Sequence, residues 1–526
     1  MAPLALGALV AVASMAAAWL WIGRPQTPDR PDIVFITIDT LRADRLGVYG
    51  YEPARTPNID RLAQEGSLFE QATTPMPRTT PALASLLTGL WPHHHGSREV
   101  AQPVNKEVPT FAALLQDKGY TTLGASANGA ASPHQNFDQG FDHFLDYRHL
   151  VPPVADVVTE KTLELLQHSR DGKPLFLWVH YIDPHFPYRP PAQWKDQPEA
   201  PNCRALMDEL AHDRWKIGEV QRDRDGIASS ALAECSALYD AEIAYTDAAV
   251  GNLLAGLEKA GRKQNTLVVF TADHGENLGE ANLFYEHGPS VHDASLRVPL
   301  IFHGPGIPPQ RDDQVFRLED IMPTLLSLLR VPREEWPEMD GVDLSRRLGG
   351  GPWPRLAPQP TAVAESGSSL LPNTFNFPFS GRARSLHCYN SPRFSLCQDD
   401  ASGPFLYEPS TDPQLRQDLS DQFPKAREAL LKAQAAWPAE QVRERTLRTT
   451  RFKLVEYPLW RGGYRRALYD IREDPQQSRD VKHLFPKELQ ALSRQLSQWT
   501  STLPTGAAQE RSQEQIDALR ALGYIQ

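Results

Sequence analysis

Asp32-Ile-Val-Phe-Ile-Thr-Ile38, followed at once by Asp39-Thr-Leu-Arg-Ala-Asp44, decides how this chain folds. Ile33, Val34, Phe35, Ile36 and Ile38 form a short, continuous apolar run, the pattern of a strand buried on both faces of a parallel sheet. Residues 175–179, 266–271 and 298–302 repeat it. Between them lie helical stretches at 58–66, 81–89, 110–119, 241–260 and 318–329. Strands alternating with helices predict an α/β fold with a doubly wound, mostly parallel sheet. Ligands collect at the carboxyl ends of such strands. Asp39, then Asp183 with His185, then Asp273 with His274 each follow one of these runs, so three strand ends converge on one rim.

Outside these strands, composition narrows the class. At 526 residues, with 41% hydrophobic and 23% charged, the chain can bury one large core and a smaller one. The net charge of −11, without a long basic run, excludes nucleic acid as a partner, because phosphate neutralisation needs clustered Lys and Arg.

Met1 to Ile22 carries no charged side chain and is apolar over the length that crosses a bilayer as a helix. It predicts export, with residues 1–23 as a signal anchor or, since Ala16 and Ala18 have signal-peptidase spacing, a cleaved signal peptide. Arg24 and Arg30 follow the run, which by the positive-inside rule alone would argue for a cytoplasmic body. Residues 24–31 read as a linker. Cys203, Cys235, Cys388 and Cys397 are an even number without metal-site spacing. In an oxidising compartment they predict one or two disulfides, with Cys388 to Cys397 the favoured pair.

The last third repeats itself. Leu406, Tyr407, Asp412-Pro413, Leu419, Pro424 and Trp437 are answered at one constant offset by Leu468, Tyr469, Asp474-Pro475, Val481, Pro486 and Trp499. Each unit reads as a strand, a turn begun by Asp-Pro and a helix ending at Trp, with 393–396 and 451–454 as preceding hairpin strands. The domains are therefore a body at 32–380 and a C-terminal α+β subdomain at 381–526, with repeats near 381–440 and 441–500.

An isolated Asp at a strand end is most often a turn former or helix cap. Adjacent Asp273 and His274 are different, because both are costly to bury unless a cation or a network compensates them. His185, in His180-Tyr-Ile-Asp183-Pro-His185-Phe-Pro-Tyr188, and His287, in Tyr285-Glu-His287-Gly288, read equally well as core, loop or site histidines. His93, His94 and His95 cannot all face one ion from a compact turn and read as a polar loop. Thr79, just ahead of Thr80-Pro81, sits at a helix start. There it can serve as a cap and, in positive potential among free N–H groups, as a nucleophile facing an anionic substrate.

Asp39-Thr-Leu-Arg-Ala-Asp44-Arg-Leu-Gly, Thr56-Pro-Asn-Ile-Asp-Arg-Leu, Ala84-Ser-Leu-Leu-Thr-Gly, His180 to Tyr188, Tyr239 to Asp247, Asp273-His-Gly-Glu and Arg297-Val-Pro-Leu-Ile resemble, in order, the signatures of the sulfatase family. Leu468-Tyr-Asp470 with Asp474-Pro475 resembles its C-terminal subdomain. The resemblance implies an alkaline phosphatase-like fold, an extracytoplasmic hydrolase and a divalent metal. It places Thr79 where the family keeps a Cys or Ser converted to formylglycine, and Leu83 where the family has a partner Arg. Thr40 stands where a second Asp is common, and His274 falls in the later metal-binding pair. Asp39, Thr79, Asp273 and His274 instead resemble one metal site of the superfamily's phosphodiesterases and phosphoethanolamine transferases. The imidazole favours zinc or manganese over calcium.

On that reading Asp39, Asp273 and His274 are metal ligands, Thr79, His185 and His287 are catalytic, and Asp183 and Asn128 bind substrate. The expected substrate is a sulfate or phosphate ester of a small molecule, glycan or lipid. Two other readings remain open on the sequence: a membrane-anchored phosphoethanolamine- or phosphoglycerol-type transferase, and a non-catalytic binding protein. Specificity is expected in the insertion near 192–230 and in the C-terminal modules.

Overall fold

A computed structural model describes residues 30–150, 154–168, 172–192, 198–212, 229–280, 283–288, 290–349, 361–366, 386–390, 395–399, 405–407, 419–428, 443–458 and 464–503. The apolar N-terminal run, most of the 192–230 insertion and Trp437 lie outside them. No helix among the described residues is long and apolar enough to cross a membrane.

In chain order the strands are β1 Asp32–Ile38, β2 Ser67–Thr73, β3 Thr121–Ser126, β4 His143–Asp146, β5 Leu175–Tyr181, β6 Thr266–Ala272, β7 Asn277–Leu278, β8 Phe284–Glu286, β9 Leu300–His303 and β10 Gln310–Arg317. Seven more follow: β11 Ala362–Glu365, β12 Leu386–Asn390, β13 Ser395–Asp399, β14 Phe405–Tyr407, β15 Arg445–Arg448, β16 Phe452–Pro458 and β17 Tyr464–Asp470. Eight form one sheet in the order β10-β2-β9-β6-β1-β5-β3-β4.

The continuous apolar runs of β1, β5 and β6 are fully buried, as strands covered on both faces must be. Helices pack in two groups: Pro57–Gln64, Ala155–Leu165 and Pro201–His212 around the long Ser229–Lys259, and Phe111–Asp117 and Ile321–Leu328 around Thr79–Thr88. β1 lies parallel between β5 and β6, pairing Thr37 with His180 and Ile38 with Ala272, while β3 pairs Ser126 with His180. That register brings Asp39, His180, Asp273 and the segment after Ser126 to one end of the sheet.

One expectation needs correcting. The run at 298–302 becomes β9, which is antiparallel to both β6 and β2. A buried apolar run records burial and not chain direction, so sequence could not distinguish the two. β2, β3, β4 and β10 were not expected either; Gln310-Arg-Asp-Asp of β10 and the half-exposed β4 are the polar, blunted edges of the sheet.

A separate antiparallel sheet runs β11-β15-β16-β17, and the helix Pro486–Thr500 buries Leu492, Leu496 and Trp499 against Leu447, Leu454 and Leu468. A second antiparallel meander is β12-β13-β14. The two meanders share a bond at corresponding positions: Leu419 N–H donates to Leu406 O at 2.6 Å, and Val481 N–H to Leu468 O at 2.7 Å. The small sheet docks on the large domain through buried charge. Lys453 Nζ lies 2.6 Å and Arg448 3.2 Å from Asp293, whose carboxyl those two cations hold below its usual range although burial opposes them.

Cys203 and Cys235 form a disulfide between Pro201–His212 and Ser229–Lys259. Cys388 and Cys397 oppose each other across β12 and β13, but their side chains lie outside the described residues. Pro92–His95 is a helical turn, where His95 Nε2 meets Ser85 Oγ at 3.0 Å and His94 Nδ1 meets Asp340 at 2.8 Å.

Candidate active site

Thr79 opens the helix Thr79–Thr88 and is fully buried. Arg78 precedes it in extended conformation, so the chain enters the helix sharply and leaves Thr79 at the positive end of the helix dipole. Its Oγ1 lies 3.3 Å from His274 Nε2.

His274 Nδ1 is 2.9 Å from the Gly275 carbonyl, which can only accept, so the proton sits on Nδ1 and the Nε2 lone pair is bare. That lone pair points at Asp273 Oδ2, 3.4 Å away, and Asp39 Oδ1, 3.8 Å away. Burial holds His274 below its usual range, which keeps it neutral. Burial first and the charge of Asp273 second push Asp39 well above the carboxylate range, with Asn128 opposing them. Asp39 Oδ1 and Asp273 Oδ2 are buried and have no hydrogen-bond partner among the described residues.

Two carboxylates and a bare imidazole facing one point repel each other and cost several kcal/mol to desolvate. A divalent cation relieves both penalties, and the donor atoms of Asp39, Asp273 and His274 lie within 4.8 Å of one another. The Nδ1–H···O=C bond also orients the ring as metal-ligating histidines are usually oriented. The residues therefore fit a divalent metal.

Neighbours fix these donors. Asp273 Oδ1 accepts from His274 N at 2.8 Å and Thr40 N at 3.2 Å. Thr40 is a β-branched residue at φ 56, a strained conformation pinned by that bond and by Tyr239 OH, which donates to Thr40 O at 2.7 Å. Asn128 Nδ2 donates to Asp39 Oδ2 while its Oδ1 accepts from Ala130 N at 2.7 Å. Asn128 thus reaches the cluster through Asp39.

Two residues here escaped the sequence reading. His180 is fully buried with Nδ1 2.9 Å from Thr37 Oγ1, and its Nε2, 3.9 Å from Asp39 Oδ2, makes no hydrogen bond among the described residues. Its signals were its place in a strand of otherwise apolar residues and at the head of the His180 to Tyr188 signature. Glu276, fully buried, lies 3.2 Å from His287 Nδ1. His287 stacks on His274 with centroids 4.3 Å apart, and His185 meets His287 edge-on at 5.2 Å. Thr79, Asp39, Asp273, His274 and Asn128 thus form one cluster, with His287 and His185 along its side. Asp183 is engaged elsewhere. Its carboxylate accepts from Val154 N at 3.0 Å, at the start of Ala155–Leu165, and burial raises it to about 6.

A polar cluster at the carboxyl ends of a buried, mostly parallel sheet is where α/β proteins place a ligand site. The sulfatase family pattern matches residues 31–331, more than half of the chain, which therefore belongs to that family of ester hydrolases. An arylsulfatase of Clostridium perfringens is 28% identical over 57% of this chain and 75% of its own length. An ulvan-active sulfatase of Formosa agariphila is likewise 28% identical, over 61% of this chain and 65% of its own. Among solved structures, the phosphonate monoester hydrolase of Agrobacterium radiobacter superposes with a TM-score of 0.63 at 20% identity, covering 92% of this chain and all of that one, a likeness of fold.

Proposed function

We propose that this protein cleaves sulfate or phosphate esters of a small molecule, glycan or lipid through Thr79, with a divalent cation held by Asp39, Asp273 and His274. The observation that carries this reading is the Thr79 hydroxyl 3.3 Å from the His274 imidazole, beside two buried carboxylate oxygens without a hydrogen-bond partner among the described residues. The cation, with zinc or manganese favoured by the imidazole, would neutralise the anion and favour the alkoxide form of the hydroxyl.

Thr79 Oγ1, its proton already lost to solvent, attacks the sulfur or phosphorus as the alkoxide, forming the Thr79 ester as the bond to the leaving oxygen breaks. His287, entering as the imidazolium with its Nδ1–H held by Glu276, gives its Nε2 proton to that oxygen and then takes a proton from the water that attacks the Thr79 ester. Water attack frees Thr79 and the inorganic anion. This second displacement is needed because an esterified Thr, unlike a formylglycine hydrate, cannot expel its group by collapsing to an aldehyde.

A panel of aryl sulfate, phosphate monoester, phosphodiester and phosphonate substrates, each with zinc, manganese and calcium, tests the reading. Turnover of at least one with zinc or manganese is expected; none with any metal would sink it. We also read the protein as exported, held by its apolar N-terminal segment. The Cys203–Cys235 bridge supports an oxidising compartment, and recovery of the full-length protein in the cytosol on fractionation would contradict this.

A further inference from the structure

The nucleophile has a buried cation as its direct neighbour, and the mechanism above does not use it. Arg78 is 6% exposed, and its Nε makes no hydrogen bond among the described residues. The guanidinium lies under Gly288, the residue after His287. A Cβ there would come within 2.9 Å of Arg78 Nε and Cζ, so Gly288, at φ 100, leaves Arg78 the room it occupies. Its one ion-pair partner in the described residues is Glu99, at 3.7 Å, too long for a hydrogen bond.

Glu99 is shared. Its other oxygen accepts from Arg443, 2.5 Å away, which comes from the segment entering β15 of the small sheet. Arg443 is itself buried and anchored, donating to Ser366 O at 2.8 Å. Arg98 pairs with Glu365 of β11 alongside, at 2.7 Å. Arg78 and Arg443 thus share one carboxylate, which leaves the charge of Arg78 only partly balanced by Glu99. A buried guanidinium with an idle N–H is costly unless an anion meets it, and its planar fork suits the oxygens of a tetrahedral anion.

We propose that Arg78 binds the anionic oxygens of the ester group at Thr79, and that Glu99, aimed by Arg443 of the small sheet, positions Arg78 for that contact. The inference rests on the hydrolase reading for its substrate, but not for its anion. The C-terminal subdomain then contributes to the active site through a positioning residue, without itself reaching the ester.

The experiment uses the full chain and titrates inorganic sulfate and inorganic phosphate calorimetrically, alongside kinetics on whichever ester the panel yields. Arg78→Ala should weaken anion binding and lower kcat/KM by on the order of 100-fold, and Arg78→Lys should restore part of each. Arg443→Gln should cost about tenfold. The double variant Arg78→Ala/Arg443→Gln should be no worse than Arg78→Ala, since Arg443 acts through Arg78. Should Arg443→Gln fail to fold, Glu99→Gln interrupts the same link within the large domain. Unchanged anion affinity in Arg78→Ala, or fully additive losses in the double variant, would overturn the proposal. Turnover without Arg78-dependent anion binding sinks this inference alone, whereas Arg78-dependent anion binding without turnover of any ester sinks only the hydrolase reading.

Discussion

The imidazole of His274 stacks on that of His287 with ring centroids 4.3 Å apart, so the ring that completes the carboxylate cluster is the wall against which the Glu276-held ring rests. In the proposed chemistry, nucleophile activation and proton transfer would fall on these adjacent rings, each oriented through its Nδ1. Damage to one should be separable from damage to the other.

Thr79→Ala should abolish turnover, with losses on the order of 10⁴- to 10⁶-fold as for other nucleophile deletions, while metal content is unchanged. Thr79→Ser keeps the hydroxyl and should retain measurable activity. Full activity in the alanine variant would remove Thr79 from the reaction.

Metal retention should depend on the bare Nε2 of His274 and on Asp273. His274→Ala and Asp273→Asn should each lose the bound ion on dialysis, read by elemental analysis, and chelation of the parent protein should abolish turnover until zinc or manganese is restored. Finding calcium alone in purified protein would contradict the weight given to the imidazole.

Glu276 and His287 act on the leaving group in the proposed chemistry. Glu276→Gln and His287→Ala should lower kcat by about 10²- to 10⁴-fold for an alkyl ester. The loss should be much smaller for a nitrophenyl ester, whose leaving oxygen needs no proton. Equal losses on both substrates would assign the pair a structural role.

Asp183 predicts a pH effect on stability. Burial raises its folded pKa to about 6 from the ordinary 3.8, so the folded protein binds the proton more tightly than the unfolded chain does. Stability is thus undiminished below pH 3.8 and falls as pH rises through the window up to about 6. Asp183→Asn, whose side-chain oxygen can still accept from Val154 N, should be more stable than the parent at pH 8. The gain should approach about 3 kcal/mol, since each tenfold difference in proton affinity between the two states is worth about 1.4 kcal/mol, and it should vanish near pH 4. A gain independent of pH in denaturant titrations would refute this.

Much of the scaffold was legible because it is written in short windows. The apolar runs of β1, β5 and β6 and the acidic residues that follow them could be read directly, since burial on both faces forces such a pattern wherever the strand sits. The helix start at Thr79 was equally local, marked by Thr79-Thr80-Pro81. β2 and β10 were not legible, because Ser-Leu-Phe-Glu-Gln-Ala-Thr and Gln-Arg-Asp-Asp-Gln-Val-Phe-Arg lack a continuous apolar signal and are strands through their pairing with each other and, for β2, with β9.

By itself, then, the sequence determined the layered α/β plan, the family, and the gathering of Asp39, Asp273 and His274 beyond two strand ends. Only the tertiary structure decided the direction of β9, the bridging of Cys203 to Cys235, the pairing of Glu276 with His287, and the reach of Arg443 through Glu99 to Arg78. The reason is one of range. Strand burial and helix starts are set by neighbours within a few residues, whereas these contacts join positions that only the register of the central sheet and the docking of the small one bring together.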